Sequence, residues 1–236
     1  IGVARILLPR RSGPDCVIIG FGSSFSNTVM LGIPIILTAF GEAAALPLFL
    51  VLAFHGLLIF SAGILLMELS TSSPRSLRGA ISALPQALSN QTVLIALLAG
   101  VLWNMSGLNL PDPADRFLDI LGQAAIPLAL VAIGGTLATV PVRRSVGVAA
   151  YMSAFKLMVQ PAATYGVANF VFGLPPLWVA TITLLAAMPT GVLASALAEQ
   201  YRSACGAASS SIMVSSVTGM ATLSFWLIFF APFLRG

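Results

Sequence analysis

The sequence predicts an all-α polytopic membrane protein. Hydrophobic residues make up 58% of its 236 residues and charged residues 8%, whereas soluble domains carry about 25% charged residues. Apolar runs recur that reach the ~20 residues a helix needs to cross the hydrocarbon core. A soluble protein of this composition would expose large apolar patches. The composition therefore excludes a soluble enzyme and gives no reason to read the net charge of +4 as a nucleic-acid surface.

Seven stretches qualify as membrane spans, and glycine or proline stands near most of the breaks between them. The predicted spans are residues 16–40, 43–67, 92–110, 116–138, 146–172, 177–198 and 206–234.

Arginines alternate between the connections. The connections near Arg10, Arg75, Arg143 and Arg202 are basic, and the others are acidic or uncharged apart from Arg116. By the positive-inside rule the basic connections lie in the cytoplasm, which predicts a C-terminus outside.

Two features concern the ends and the cysteines of the chain. The residues from Ile1 onward resemble the end of a helix, so we expect a fold that begins upstream of this sequence. Cys16 and Cys205 lie far apart beside apolar runs and form neither a disulfide framework nor a metal-ligand spacing. We expect no metal and no cofactor.

Two spans carry residues that interrupt helices. The first gathers Gly20, Gly22, several serines, Asn27 and Pro34, and the sixth contains the sequence MPTG at 188–191. Gly costs about 1 and Pro about 3 kcal/mol in a helix interior relative to Ala. Irregular backbone at membrane depth is tolerated only inside the protein or along a cavity. Both spans are therefore predicted to be discontinuous helices.

The two interrupted spans occupy matching places with opposite orientations, as an inverted repeat would give. Repeats of this kind hold the substrate between two broken helices. The N-termini of half-helices carry partial positive charge and free amides, which suit a carboxylate. A proline kink that only shapes packing is the alternative at each position.

Several motifs together resemble the auxin efflux carrier family, whose bacterial members include malonate transporter-like proteins. SNTVMLGIP at 26–34 with FG at 40–41 resembles the fourth helix of that family, and LGQAAIPLAL at 121–130 with Gly134 and Leu137 the seventh. Lys156 with Pro161 resembles the eighth helix, and AMPTG at 187–191 with QY at 200–201 the ninth.

The resemblance implies a fold of ten helices in two inverted five-helix repeats with two crossed broken helices, of which this chain holds about seven. Residues 1–68 then complete the first repeat, 69–90 form a cytoplasmic loop, and 91–236 form the second repeat. The implied function is secondary transport of a small organic anion by alternating access, in a bacterial inner membrane. In the stretch that resembles the ninth helix, this sequence has Thr190 beside Pro189, at the position where the pattern of plant auxin carriers has an Asn. This difference from the plant pattern favours a malonate-like dicarboxylate over auxin.

The expected substrate site lies at the crossing of the two broken helices. We predict that these residues bind the anion: Asn27, Thr28, Gly32, Pro34, Lys156, Pro189, Thr190 and Gly191. Charges at membrane depth are costly and usually face the protein interior, so Lys156 is predicted to attract the anion, with snorkelling to the surface as the alternative. His55, the only histidine, is expected to bond a neighbouring backbone group rather than to relay protons.

Three other functions are alternatives to anion transport. A cation/proton antiporter would need a carboxylate near the breaks, and neither break has one. An intramembrane hydrolase would need a nucleophile and base that this pattern lacks. A non-transporting membrane sensor would be distinguished from a carrier by the absence of substrate flux across the membrane. Expected partners are the carboxylate, the bilayer and a coupling proton or sodium ion. A homodimer is left open.

Overall fold

The computed structural model describes residues 2, 5, 11–70, 92–139 and 146–234. Most of the predicted loop 69–90 lies outside these residues, as do Arg10, Arg75 and Arg143.

The described residues are almost entirely helical, which confirms the predicted all-α class, and helices cover each of the seven predicted spans. The α-helices are α1 Gly13–Gly22, α2 Ile33–Phe40, α3 Ala45–Ser70, α4 Thr92–Ser106, α5 Asp112–Thr139, α6 Val146–Ala154, α7 Gln160–Gly166, α8 Pro176–Ala186, α9 Leu193–Gln200 and α10 Cys205–Phe230. Short π turns lead into α2, join α6 to α7 and extend α7, and 3-10 turns precede α3 and follow α10.

Two of the described helices are long and apolar enough to cross a membrane by length and composition, Glu42–Ser70 and Cys205–Phe230. Shorter apolar helices, among them Thr28–Phe40 and Pro176–Ala186, flank the predicted interruptions. Large apolar side chains such as Leu102, Ile120 and Phe170 lie on the outside, at 65–77% exposure. An apolar exterior of this kind suits lipid rather than water.

The first span is interrupted as predicted. The α1 helix begins with Ser12 accepting a hydrogen bond from the Asp15 amide, and it ends at Gly22. The Ser23 hydroxyl then bonds back to the Ile19 carbonyl at 2.7 Å, and Ser24 bonds back to Gly20. Such local bonds compete with continuation of the helix. Helical structure resumes only at Thr28, in a π turn that runs into α2.

The sixth span is interrupted between Ala186 and Leu193. Pro189 lies in this gap and has no amide hydrogen to donate to a preceding turn. Both predicted discontinuous helices are thus present.

Helices α3 and α10 pack against both broken spans. The main core cluster joins Ile36 of α2, Leu48 of α3, Leu184 of α8 and Trp226 of α10. Helix α6 packs along α10, and α5 packs against the π turn before α2. The two interruptions therefore lie side by side within the protein, which puts irregular backbone where a membrane permits it.

Candidate functional site: the crossing of the two broken helices

The two interruptions pair with each other through their backbones. The Asn27 amide donates to the Pro189 carbonyl at 2.8 Å, and the Gly191 amide donates to the Phe25 carbonyl at 2.9 Å. These two bonds form a short antiparallel bridge centred on Ser26 and Thr190. Each interruption thus supplies hydrogen-bond partners that the other lost when its helix ended.

Side chains from neighbouring helices satisfy further backbone groups at the crossing. The Ser26 amide donates to His55 Nε2 of α3 at 3.1 Å, and Gln160 Nε2 donates to the Ser24 carbonyl at 3.0 Å. The expectation that His55 bonds a neighbouring backbone group is confirmed.

Thr190 is fully buried and joins three elements. Its hydroxyl donates to the Gly22 carbonyl at the end of α1, at 3.0 Å. Its amide donates to the Ser215 hydroxyl of α10, also at 3.0 Å. Thr190 therefore fixes the crossing against both α1 and α10.

Lys156 is also fully buried, on the π turn between α6 and α7. Its Nζ donates to the Ala186 carbonyl at 2.5 Å, at the last residue of α8. A cation is favourable at a helix C-terminus, where carbonyls lack partners and the dipole is negative. Lys156 therefore caps the interrupted end of α8.

A cavity of about 330 Å³ opens beside the crossing. Its walls come from both interruptions, the π turn before α2, the middle of α3, the start of α4 and the start of α9. The lining residues are Phe25, Ser26, Asn27, Thr28, Val29, Met30, Leu52, Ala53, Gly56, Thr92, Gly191, Val192 and Leu193. None of these described lining residues is charged, so the cavity combines apolar walls with neutral polar groups.

The structure brings three predicted site residues to the cavity wall: Asn27, Thr28 and Gly191. The other five predicted residues lie around it. Pro189 and Thr190 form the crossing itself, and Lys156 lies behind it at the end of α8. Gly32 and Pro34 lie on the helix that leaves the cavity, where Gly32 packs against Leu185 of α8 and Pro34 is buried.

Gly191 is required by the close approach of the two interruptions. A Cβ at this position would lie 2.6 Å from Phe25 Cδ1 and 3.1 Å from the Ser26 carbonyl oxygen. The Phe25 ring cannot retreat easily because it stacks on Phe21, with centroids 4.9 Å apart, and contacts the His55 ring at 5.1 Å.

Comparison with known proteins identifies the family. The profile of the family described as "Membrane transport protein" matches residues 74–227, about two thirds of this chain. This chain belongs to the membrane transport protein family. The match confirms the resemblance to auxin efflux carriers, and it makes the protein a membrane transporter.

Two relatives of this transporter cover most of the chain. A Rhizobium meliloti protein named "Putative malonate transporter" is 27% identical over 93% of the chain. A Methanothermobacter thermautotrophicus protein named "Uncharacterized transporter" is 28% identical over 87% of the chain. The matched part of this chain spans 68% and 65% of the length of these relatives, respectively. Both names agree with the expectation that the protein is a transporter.

Sequence reasoning missed Ser26 as a lining residue of this transporter. Ser26 is 2% exposed and lines the cavity, and its hydroxyl oxygen has no hydrogen-bond partner. Buried hydroxyls are nearly always bonded, so an unpartnered one beside a cavity is a feature that a functional account must explain. The nearest signal was its place directly before Asn27, inside the motif that carries the family resemblance.

Proposed function

We propose that this transporter carries a small carboxylate anion, of the malonate-like dicarboxylate class, by alternating access, and that the anion binds in the cavity beside the crossing. The observation that carries the proposal is the convergence at this cavity of two helix starts and an unpartnered buried hydroxyl. Ligand pockets measure about 300–1,000 Å³, so the cavity of about 330 Å³ suits a small substrate.

Both helices that resume after the interruptions begin at the cavity. Thr28, Val29 and Met30 open the helical segment Thr28–Phe40, and Leu193 opens α9. At the start of α9 the Ala194 and Ser195 amides already donate to the Gly191 and Val192 carbonyls. The first amides of a helix otherwise have no carbonyl one turn earlier to receive them. They carry partial positive charge and are suited to bind a carboxylate without any charged side chain.

Side chains on the wall supply the remaining polar contacts. The Asn27 side-chain amide and the Thr28 hydroxyl are donors, and both residues are largely buried, at 8% and 6% exposure. The Ser26 hydroxyl adds a donor with no partner in the protein. In this proposal Gly191 lets the two interruptions approach, and Gly32 and Pro34 shape the helix start. Pro189 and Thr190 hold the frame.

Lys156 gives the region a positive charge at a distance from the wall. Its bond to the Ala186 carbonyl fixes the ammonium behind the crossing. A charge in a low-dielectric interior acts over a longer range than one in water. We assign it long-range attraction of the anion in addition to its capping bond.

The relative named for malonate supports the dicarboxylate class. The antiporter alternative is weaker because no described lining residue is a carboxylate that could exchange a proton for a cation. Location in a bacterial inner membrane with the C-terminus outside, and the two-repeat division at 1–68, 69–90 and 91–236, belong to the same proposal.

Uptake of labelled malonate into proteoliposomes tests the proposal. The variants Ser26→Ala, Asn27→Ala and Thr28→Ala should each raise the KM. Each charge-assisted bond lost is worth about 1.5–3 kcal/mol, or roughly tenfold to more than a hundredfold. Ser224→Ala is the matched control, because Ser224 lies exposed on α10 and bonds only back to Met220.

Saturable uptake that is competed by other dicarboxylates and weakened in the cavity variants alone would support an anion carrier with this site. Unchanged uptake in all three cavity variants would mean that the site is placed wrongly. Absence of anion uptake, with exchange of protons for cations instead, would favour the antiporter. No flux of either kind would favour a sensor.

A further inference from the structure

His55 of α3 lies directly behind the cavity wall. The following residue, Gly56, lines the cavity, and so does Phe25, whose ring contacts the imidazole. His55 Nε2 accepts the hydrogen bond of the Ser26 amide at 3.1 Å. Ser26 itself lines the cavity, so this bond joins the middle of α3 to the proposed anion site.

The direction of this bond fixes the charge on the imidazole. An imidazole nitrogen that accepts a hydrogen bond carries no proton, whereas both nitrogens of a charged imidazolium are donors. His55 is therefore neutral in this arrangement. A proton added at Nε2 would place two donors face to face and break the bond to Ser26.

We propose that His55 is a proton-responsive positioning residue of the anion site, neutral while the cavity is empty and protonated while it holds a carboxylate. This inference rests on the proposed function. A proton taken from water at Nε2 releases the Ser26 amide, which then joins the Ser26 hydroxyl as a donor to the anion. The same step creates a positive charge next to the wall, so one proton accompanies one anion.

Few other ionisable groups could perform this role. Helices α2, α4 and α8, which pack against α3, carry no ionisable side chain in their described stretches. Glu42 and Glu68 are each 13 residues from His55, about 20 Å along a helix. On α1, Asp15 and Cys16 lie some three turns before Ser26.

The remaining ionisable group near the crossing is Lys156, buried on the π turn between α6 and α7. Its Nζ is bonded to the Ala186 carbonyl rather than to the imidazole. His55 thus has no carboxylate partner among the described residues near it, and a bound anion would supply one.

Linkage gives the expected size of the effect. If anion binding draws a proton onto His55, a proton must in turn strengthen anion binding by the same factor. The apparent affinity for the anion should then rise by up to about tenfold for each unit of falling pH, the limit for one coupled proton.

The experiment measures malonate binding by calorimetry in purified transporter between pH 5 and 8, in buffers of different ionisation enthalpy. Comparison of the wild type with His55→Gln isolates the imidazole, because Gln keeps an acceptor for Ser26 but does not titrate. The titration of malonate itself is common to both proteins and cancels. We expect the wild type to take up about one more proton per malonate than His55→Gln. The affinity of the wild type for malonate should rise as the pH falls, beyond the change that His55→Gln shows.

The outcomes separate the two proposals. If malonate fails to bind the wild type at every pH, the proposed function fails. If malonate binds with equal proton uptake in the wild type and His55→Gln, the site stands and the role of His55 is wrong. Should His55→Gln fold poorly, nitrogen NMR of the wild-type imidazole decides. His55 is the only histidine in the sequence, so its signal is unambiguous. Addition of malonate must then shift it from neutral to protonated, and an unchanged signal overturns the inference.

Discussion

Gly191→Ala tests whether the close approach of the two interruptions holds the fold together. The added Cβ would lie 2.6 Å from Phe25 Cδ1 and 2.9 Å from Cε1, whereas carbon atoms pack best at about 3.5–4.0 Å. The overlap of about 1 Å cannot be relieved by a simple rotation of the ring, because Phe21 and His55 flank it. The Ser26 carbonyl, at 3.1 Å from the added atom, is backbone and equally fixed.

Overpacking of a fixed site costs about 1–3 kcal/mol. Separation of the interruptions would also weaken the bond between the Gly191 amide and the Phe25 carbonyl. We therefore expect a loss of about 2 kcal/mol, which lowers the melting temperature by about 4–8 °C for a chain of this length. Thermal unfolding in detergent measures the shift, and malonate binding should weaken in parallel.

Gly166→Ala is the matched control, because a Cβ at that helical position meets nothing within 4 Å. Ala is favoured over Gly in a helix by about 1 kcal/mol, so this variant should melt at or above the wild-type temperature. If Gly191→Ala melts within about 1 °C of the wild type and binds malonate normally, the crossing does not depend on the absence of a Cβ.

Two further predictions concern the buried polar bonds behind the crossing. Thr190→Val leaves the Gly22 carbonyl without its hydroxyl partner and should cost about 1–3 kcal/mol of stability, whereas Thr190→Ser and the exposed control Thr218→Val should melt close to wild type. An unaffected Thr190→Val would show that another group satisfies Gly22. Lys156→Met removes a cap worth about 1.5–3 kcal/mol together with a buried charge that costs about 2.5–3.5 kcal/mol. Its melting temperature should therefore change little while malonate uptake falls. Unchanged uptake would leave Lys156 with its capping bond alone.

The positions of the spans and of both interruptions were predictable because they depend on local chemistry. A run of about 20 apolar residues identifies a span wherever it occurs. The serines at 23–24 and Pro189 end helices through their own bonds, or their lack of an amide hydrogen. These signals act over four or five residues, which sequence inspection can follow.

The partners of each interruption were not predictable in the same way. The Thr190 hydroxyl meets the Gly22 carbonyl across 168 positions of the chain, and Gln160 meets Ser24 across 136. Such pairs depend on how whole helices pack, and many serines, threonines and glutamines in the sequence offer the same chemistry. The prediction for His55 specified the kind of partner, a backbone group, but not that this group would be Ser26 on the cavity wall.

The distribution of these bonds bears on how a carrier of this type moves. The interruptions are bonded to each other, to α10 through Ser215, and to the α6–α7 segment through Lys156 and Gln160. They are also bonded to α3 through His55, and this is the bond that protonation of the imidazole would release. A movement that slid one interruption past the other would leave several backbone groups unpaired where no water reaches them, each at a cost of about 1–3 kcal/mol. Alternating access at the proposed site therefore requires that both broken helices move with α6, α7 and α10 as one body. The wall contributed by the rest of the protein must change around them.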